Sequence, residues 1–271
     1  DIRRGARADW PLPARAEIGG GVEVLAIACD VLLRASRGRP ASGHARSLAA
    51  IDGGPAVWAE NDLVVASLFV NPAQFGAHDD LSRYPRDEDR DAAIAEQAGV
   101  DVVFVPTADE MYPLGFQTWV DVEELSRVLE GAARPGHFRG VATVCLKLFS
   151  IVRPHRAYFG QKDAQQVAVV RRLVRDLELG IEIRAVATVR DPDGLALSSR
   201  NEYLSPDERE RALALPRALA TRDPERAREL LAGLDVDYVE VADFDPPVLA
   251  AAVRVGSTRL IDNVLLKGDR P

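Results

Sequence analysis

Hydrophobic and polar positions settle into a regular pattern from Asp62 onward. Leu63–Val70 is a short, Val-rich and nearly continuous apolar run, the pattern of a strand covered on both faces. Glu88–Ala98 follows with amphipathic helical spacing and stops at Gly99. Asp101–Val105 predicts a second strand, closed by Pro106. Gly140–Val152 is apolar around most of its circumference and predicts a buried helix, stopped by Pro154. A short strand at Ala157–Phe159, a helix at Ala164–Leu177 and a strand at Ile181–Val186 complete the series. Strands alternating with helices imply an α/β fold with a doubly wound parallel sheet, whose ligands sit beyond the carboxyl ends of the strands.

Past Val189 the pattern changes. Ser205-Pro206-Asp207-Glu208 has the form of a helix start, with Ser as N-cap, Pro in the first turn and Glu at the third position. A mostly helical stretch then leads to short β-like segments at Tyr238–Val241 and Arg259–Ile261. The expected organisation is a first domain over residues 1–188 and a smaller, lid-like C-terminal α+β domain over 189–271. Residues 1–60 diverge from the rest: they are rich in Arg, Ala, Gly and Pro, and Gly19-Gly20-Gly21 interrupts any helix. Within them Val22–Ala28 reads as a buried strand or helix.

Composition narrows the function classes. A formal charge of −8 argues against a nucleic-acid surface, which needs clustered cations, but not against a small anionic ligand held in a pocket. No apolar run is long enough to cross a bilayer, and the first residues do not read as a signal peptide. Cys29 and Cys145 form no spaced pair, which argues against a disulfide framework or zinc site and suits a reducing cytoplasm. The only lysines are Lys147, Lys162 and Lys267, so in this Arg-rich chain each Lys calls for a reason.

Three strings carry candidate chemistry. In Phe69-Val70-Asn71-Pro72-Ala73-Gln74-Phe75 a buried strand ends and two amide side chains emerge, suited to a substrate with hydroxyl and carboxylate groups. The alternative is a turn whose amides satisfy loop backbone. In Tyr158-Phe159-Gly160-Gln161-Lys162-Asp163-Ala164-Gln165-Gln166 a strand passes through a turn into a helix N-terminus, a natural phosphate site. Lys162 adds a mobile cation, Asp163 is placed to cap the helix, and Gln166 lies one turn in; a capped helix with a solvated Lys is the plainer alternative. In Asp193-Gly194-Leu195-Ala196-Leu197-Ser198-Ser199-Arg200-Asn201 two hydroxyls and a guanidinium can grip phosphate oxygens, or form an ordinary Ser-rich turn. Arg134–Gly140 is a weaker basic signal. His44, His78, His137 and His155 lack metal-ligand spacing, with His78 and His155 reading as surface groups, and Lys147 reads as a core-edge lysine.

Together these strings resemble the pantothenate synthetase family, with Rossmann-like cores of the nucleotidyltransferase-like, ATP-adenylylating superfamily. The matching stretches are 67–75, 80–86, 134–140, 158–166, 194–201 and 258–263, in order and in spacing. The resemblance implies ATP-dependent condensation of pantoate with β-alanine to pantothenate, on the coenzyme A pathway, through pantoyl adenylate with release of pyrophosphate and AMP. It implies that Gln74 and Gln166, with Asn71, hold pantoate. Gly160, Gln161, Lys162, Asp163 and the Val189 backbone would contact ATP, and Leu197, Ser198, Ser199 and Arg200 would close over its phosphates. Mg²⁺ held largely by phosphate and water, no protein-built metal site, and a homodimer are also implied. The family's His-x-Gly-His signature has only Arg37-Gly38-Arg39-Pro40-Ala41-Ser42-Gly43-His44 as a counterpart, with Ala41 in place of the first His, and His44 is the candidate catalytic histidine. The composition of residues 1–60 also fits an out-of-frame GC-rich stretch. Two functional alternatives stay open: another adenylyl- or cytidylyltransferase of this fold, or a catalytically impaired nucleotide-binding relative.

Overall fold

A computed structural model describes residues 3–5, 24–28, 61, 63–76, 92, 93, 95, 96 and 100–266. It is a mixed α/β structure that divides into two compact units. One holds the chain up to Phe159 and Val169–Val186; the other holds Gly160–Ala168 and the chain from Ala187 onward. The division after Val186 lies two residues from the boundary expected after residue 188. The segment 160–168 departs from that expectation by joining the C-terminal unit.

The first unit is built on a six-stranded sheet. Its strands are β1 (Arg3–Gly5), β2 (Val24–Ala28), β3 (Leu63–Ser67), β4 (Val102–Phe104), β5 (Arg156–Gly160) and β6 (Glu182–Val186), in the order β1-β4-β3-β2-β5-β6. The pairs β1–β4, β4–β3, β3–β2 and β2–β5 are all parallel. From β4 to β6 this order reverses direction between β2 and β5, the kind of switch point at which open α/β sheets bind ligands. Of the apolar run Val22–Ala28, the described residues Val24–Ala28 form a strand. β3 stops three residues short of the apolar run: the Leu68 N–H takes the carbonyl of Phe104, the last residue of β4, at 2.8 Å, and no partner strand continues among the described residues. The outer strand β6 is more exposed and carries Glu182 and Arg184, charges that suit an edge.

Helices α1 (Ala108–Met111), α2 (Leu129–Ala133) and α3 (His137–Val152) follow β4. Thr107 and Glu110 form a capping box that starts α1. α3 begins three residues before the apolar pattern does, because Gly136 at φ +85° turns the chain directly into the helix. Its buried positions include Phe138, Val141, Cys145, Leu148 and Phe149, and Val152 at its end packs with Val65 and Val102. Burial pushes the Cys145 thiol up to about 12, so it stays neutral within the core.

Helix α4 (Ala164–Asp176) follows β5, its first five residues lying in the second unit. That unit continues with α5 (Pro206–Ala212), α6 (Ala214–Leu219), α7 (Pro224–Leu231) and an antiparallel sheet of β7 (Asp235–Ala242), β8 (Val248–Val255) and β9 (Thr258–Leu265). α5 starts at the capping box of Ser205 and Glu208 that its sequence announces. The central strand β8 was not anticipated, because Ala250-Ala251-Ala252 has helical propensity. Paired on both sides and buried, the segment adopts the conformation that its neighbours impose. Leu215, Leu219, Leu231, Val239, Leu249, Val253 and Leu260 form the core between these helices and the sheet.

Leu249 is fully buried at the centre of that core. Leu249→Ala is expected to lower the unfolding free energy by about 2–5 kcal/mol, read from the shift of the denaturant midpoint.

Candidate active site

In the first unit the polar end of β3 becomes a tightly bonded turn. Pro72–Gln74 is a single 3-10 turn with Asn71 as its N-cap, extended as the following proline requires. Asn71 is 3% exposed. Its Nδ2 donates to Gln74 Oε1 at 3.2 Å and to the Gly140 carbonyl at 3.2 Å. Its Oδ1 accepts from the Ala73 N–H at 3.2 Å and from the Tyr112 hydroxyl at 2.7 Å. Both amide hydrogens and both carbonyl lone pairs therefore have partners within the protein, and Asn71 acts on Gln74 by holding it.

Arg134–Gly140 belongs to this group. His137 Nδ1 lies 2.9 Å from the Gln74 carbonyl, and since a carbonyl only accepts, Nδ1 carries the proton. His137 Nε2 then faces Arg134 Nη1 at 3.4 Å, while Arg134 Nη2 donates to the same Gln74 carbonyl at 3.3 Å. Gly140 lets α3 approach the turn, because a Cβ there would lie 2.3 Å from the Ala73 carbonyl oxygen and 2.7 Å from the Gln74 nitrogen.

Tyr112, unnoticed in the sequence, closes the cluster from the end of α1. Burial, and secondarily the Cys145 thiol, push its phenol above the usual range, so it remains a donor to Asn71. Its ring stacks on Trp119 and meets Phe116 edge-on. Lys147 sits over Phe116 at 4.9 Å, which accounts for a lysine at this core edge. Only the Thr107-to-Glu110 capping pattern could have flagged the segment.

In the second unit β5 ends at Gly160 and the chain enters a 3-10 turn, Gln161–Asp163, that leads straight into α4. Lys162 and Gln166 are half-buried. The loop that carries Leu197–Arg200 is held at several points. Val189 accepts from the Leu197 N–H at 2.8 Å, Ser198 Oγ accepts from the Arg200 N–H at 3.3 Å, and Asn201 Nδ2 donates to the Ala196 carbonyl at 3.0 Å. Arg190 grips Asp262 with two bonds, at 2.7 and 3.1 Å. Arg209 bridges Asp191 at 2.6 Å and Asp193 at 2.8 Å. Burial alone would raise the Asp193 carboxyl, but the Leu195 N–H and the Arg209 guanidinium hold it below its usual value. Strand β9 packs against both the Gln161–Asp163 turn and the Ser199–Tyr203 3-10 turn, so Lys162 and the Ser198–Arg200 loop share one support.

The candidate residues thus fall into two sets. Asn71 and Gln74 lie in the first unit; Gly160–Asp163, Gln166, Val189 and Leu197–Arg200 lie in the second. His44 and His78 lie outside the described residues. Among the described residues no group of three His, Cys, Asp or Glu side chains is placed to hold a metal, and no helix is long and apolar enough to cross a membrane. Gly140→Ala is expected to cost about 1–3 kcal/mol through overpacking and to displace the Gln74 turn. Thermal unfolding, together with amide exchange at Ala73 and Gln74, checks it; unchanged protection would place the strain elsewhere.

The Pantoate-beta-alanine ligase family matches residues 55–265, a span that does not reach His44. A pantothenate synthetase from Heliobacterium modesticaldum is 52% identical over 237 residues, covering 76% of this chain and 83% of the relative. One from Chloroflexus aurantiacus is 53% identical over 233 residues, with the same coverage. Among solved structures, the pantothenate synthetase of Thermus thermophilus is 40% identical with a TM-score of 0.82, covering 98% of this chain and 100% of that one. A pantoate-beta-alanine ligase from Francisella tularensis, complexed with beta-gamma ATP and beta-alanine, is 32% identical with a TM-score of 0.76, covering 94% of both chains. With identity near one half over three quarters of its length and the same fold in solved relatives, this chain belongs to the pantoate–β-alanine ligase family.

Proposed function

We propose that this chain carries out the ligation of pantoate and β-alanine, the activity of its family, through an acyl-adenylate made on its own residues. ATP is the activating substrate, in keeping with the nucleotide in the Francisella tularensis relative. A pantoate carboxylate oxygen attacks the α-phosphorus, the bond to the β-phosphate breaks, and pyrophosphate leaves. The amine of β-alanine then attacks the acyl carbon, AMP departs from it, and the amine gives up a proton as the amide forms.

The observation that carries this reading is the common support of Lys162 and the Ser198–Arg200 loop on β9 within a single unit. A compact ammonium, the N–H groups at the start of α4, and a guanidinium flanked by hydroxyls are the groups that a triphosphate needs. Lys162 stabilises charge as it builds on the α-phosphoryl group. Gly160, Gln161, Asp163 and the Val189 backbone contact the nucleotide, and Leu197, Ser198, Ser199 and Arg200 close over its phosphates. Gln74 and Gln166 take the hydroxyl and carboxylate groups of pantoate, with Asn71 holding Gln74 in place. Mg²⁺ would enter with the nucleotide, held largely by phosphate and water, because Asp163 is the single carboxylate among the residues assigned to ATP; it would neutralise charge on the phosphates. The doubly wound, Rossmann-like description of the first unit rests on its strand order. Positioning and fixed positive charge supply the catalysis, with no protein nucleophile.

Pantoate-dependent ATP–pyrophosphate exchange tests the scheme. Exchange should require pantoate; exchange with other carboxylates or alcohols but not pantoate would overturn it. Lys162→Ala should slow exchange about 10²–10³-fold, as expected for losing one group that stabilises transition-state charge, and unchanged turnover would remove Lys162 from the mechanism. Gln74→Ala should raise the KM for pantoate more than that for ATP; equal effects would make Gln74 a structural residue.

A further inference from the structure

Strand β9 carries two adjacent buried polar residues, Asp262 and Asn263, at 2% and 5% exposure. Burying a carboxylate and a carboxamide side by side is costly unless each is fully bonded, and the partners chosen here are informative. Asn263 Nδ2 donates to the carbonyl of Gln161 at 2.9 Å and to the carbonyl of Lys162 at 2.9 Å. Its Oδ1 accepts from Gln161 Nε2 at 3.4 Å. The Gln161 carbonyl belongs to the peptide plane before the Lys162 Cα, and the Lys162 carbonyl to the plane after it. A single planar NH₂ group therefore grips both peptide planes flanking Lys162. Since peptide planes are rigid, fixing the two of them fixes the backbone torsions of Lys162 and the direction in which its side chain leaves the chain.

Asp262 acts on the other phosphate-side segment. Its carboxylate holds Arg190, whose Nη1 also donates to the Gly194 carbonyl at 3.2 Å, and its Oδ1 accepts the Asn263 N–H at 2.8 Å. The two residues thus tie the lysine turn to the loop that carries Leu197–Arg200 through consecutive positions of one strand.

We propose that Asn263 is a positioning residue for adenylate formation, acting through Lys162 by clamping the peptide planes on either side of it, with Asp262 holding the adjoining loop in register. The inference rests on the reading that Lys162 stabilises charge at the α-phosphorus. A carboxamide that merely satisfied the start of α4 would act on stability alone; one that aims Lys162 acts on the reaction only while the ammonium is present.

A double-mutant cycle on the full-length chain separates these cases. Pantoate-dependent ATP–pyrophosphate exchange is measured at saturating substrates for wild type, Asn263→Ala, Lys162→Ala and the double variant, with thermal midpoints alongside. Asn263→Ser, which keeps one donor, is the milder variant should the alanine protein fold poorly. Asn263→Ala should lower the exchange rate about 10–10²-fold, the scale of a displaced catalytic group, with KM for pantoate unchanged and the serine variant intermediate. In the Lys162→Ala background the same substitution should cost less than about 2-fold, because coupled residues are non-additive. Equal losses in both backgrounds would overturn the positioning role while leaving Lys162 in the mechanism. A Lys162→Ala rate equal to wild type would overturn the reading beneath it, and the inference with it.

Discussion

Buried carboxamides hold the candidate active-site turns. A chain leaving a strand must still bond every buried N–H and carbonyl, and a turn satisfied only by water is free to move. Asn71 and Asn263 meet this requirement in their respective units with the same device. Asn263 aims both amide hydrogens and its oxygen at one short 3-10 turn, and Asn71 aims one hydrogen and its oxygen at the other while its second hydrogen reaches the Gly140 carbonyl. An amide suits the task because it donates and accepts at once, whereas a carboxylate could only accept and a hydroxyl has a single proton. The side chains assigned to substrate, Gln74 and Lys162, stand on turns that are bonded in this way.

Charged groups reinforce the second turn system in a manner that depends on burial. Asp262 is almost fully enclosed, so its two bonds to Arg190 compensate a desolvation cost that would otherwise favour a neutral or apolar residue. Arg209 between Asp191 and Asp193 is more exposed and contributes less as an ion pair than as a geometric brace on the loop. In the first unit the brace is steric and aromatic: Gly140 admits α3 to the turn, and Tyr112 reaches Asn71 from a ring cluster that also shields Lys147. Catalysis by placed charge, as proposed for this chain, needs such rigidity, since a misplaced donor forfeits most of its effect on a developing charge.

Family membership and local geometry answer different questions. Membership establishes the ligation; the geometry shows how the residues proposed to serve it are held. It gives Asn71 a supporting role, because its hydrogen-bonding capacity is spent within the protein, and it draws Asp262 and Asn263 of β9 into the account of the proposed phosphate side.

What the sequence determined by itself were features governed by neighbours in the chain. Val-rich runs marked β3 and β4, the Ser205-to-Glu208 capping box marked α5, and the Gly160–Asp163 turn before α4 was legible because strand, turn and helix start each have local signatures. Tertiary structure alone decided the rest. The alanine run of β8 became a strand because two partners paired with it, and 160–168 joined the C-terminal unit although it is contiguous with β5. The bonds from Asn263 to Gln161 and Lys162 span about a hundred positions, as no spacing rule can: a carboxamide's partners are whichever backbone groups the fold brings within about 3 Å, and that is settled only once the chain has closed on itself.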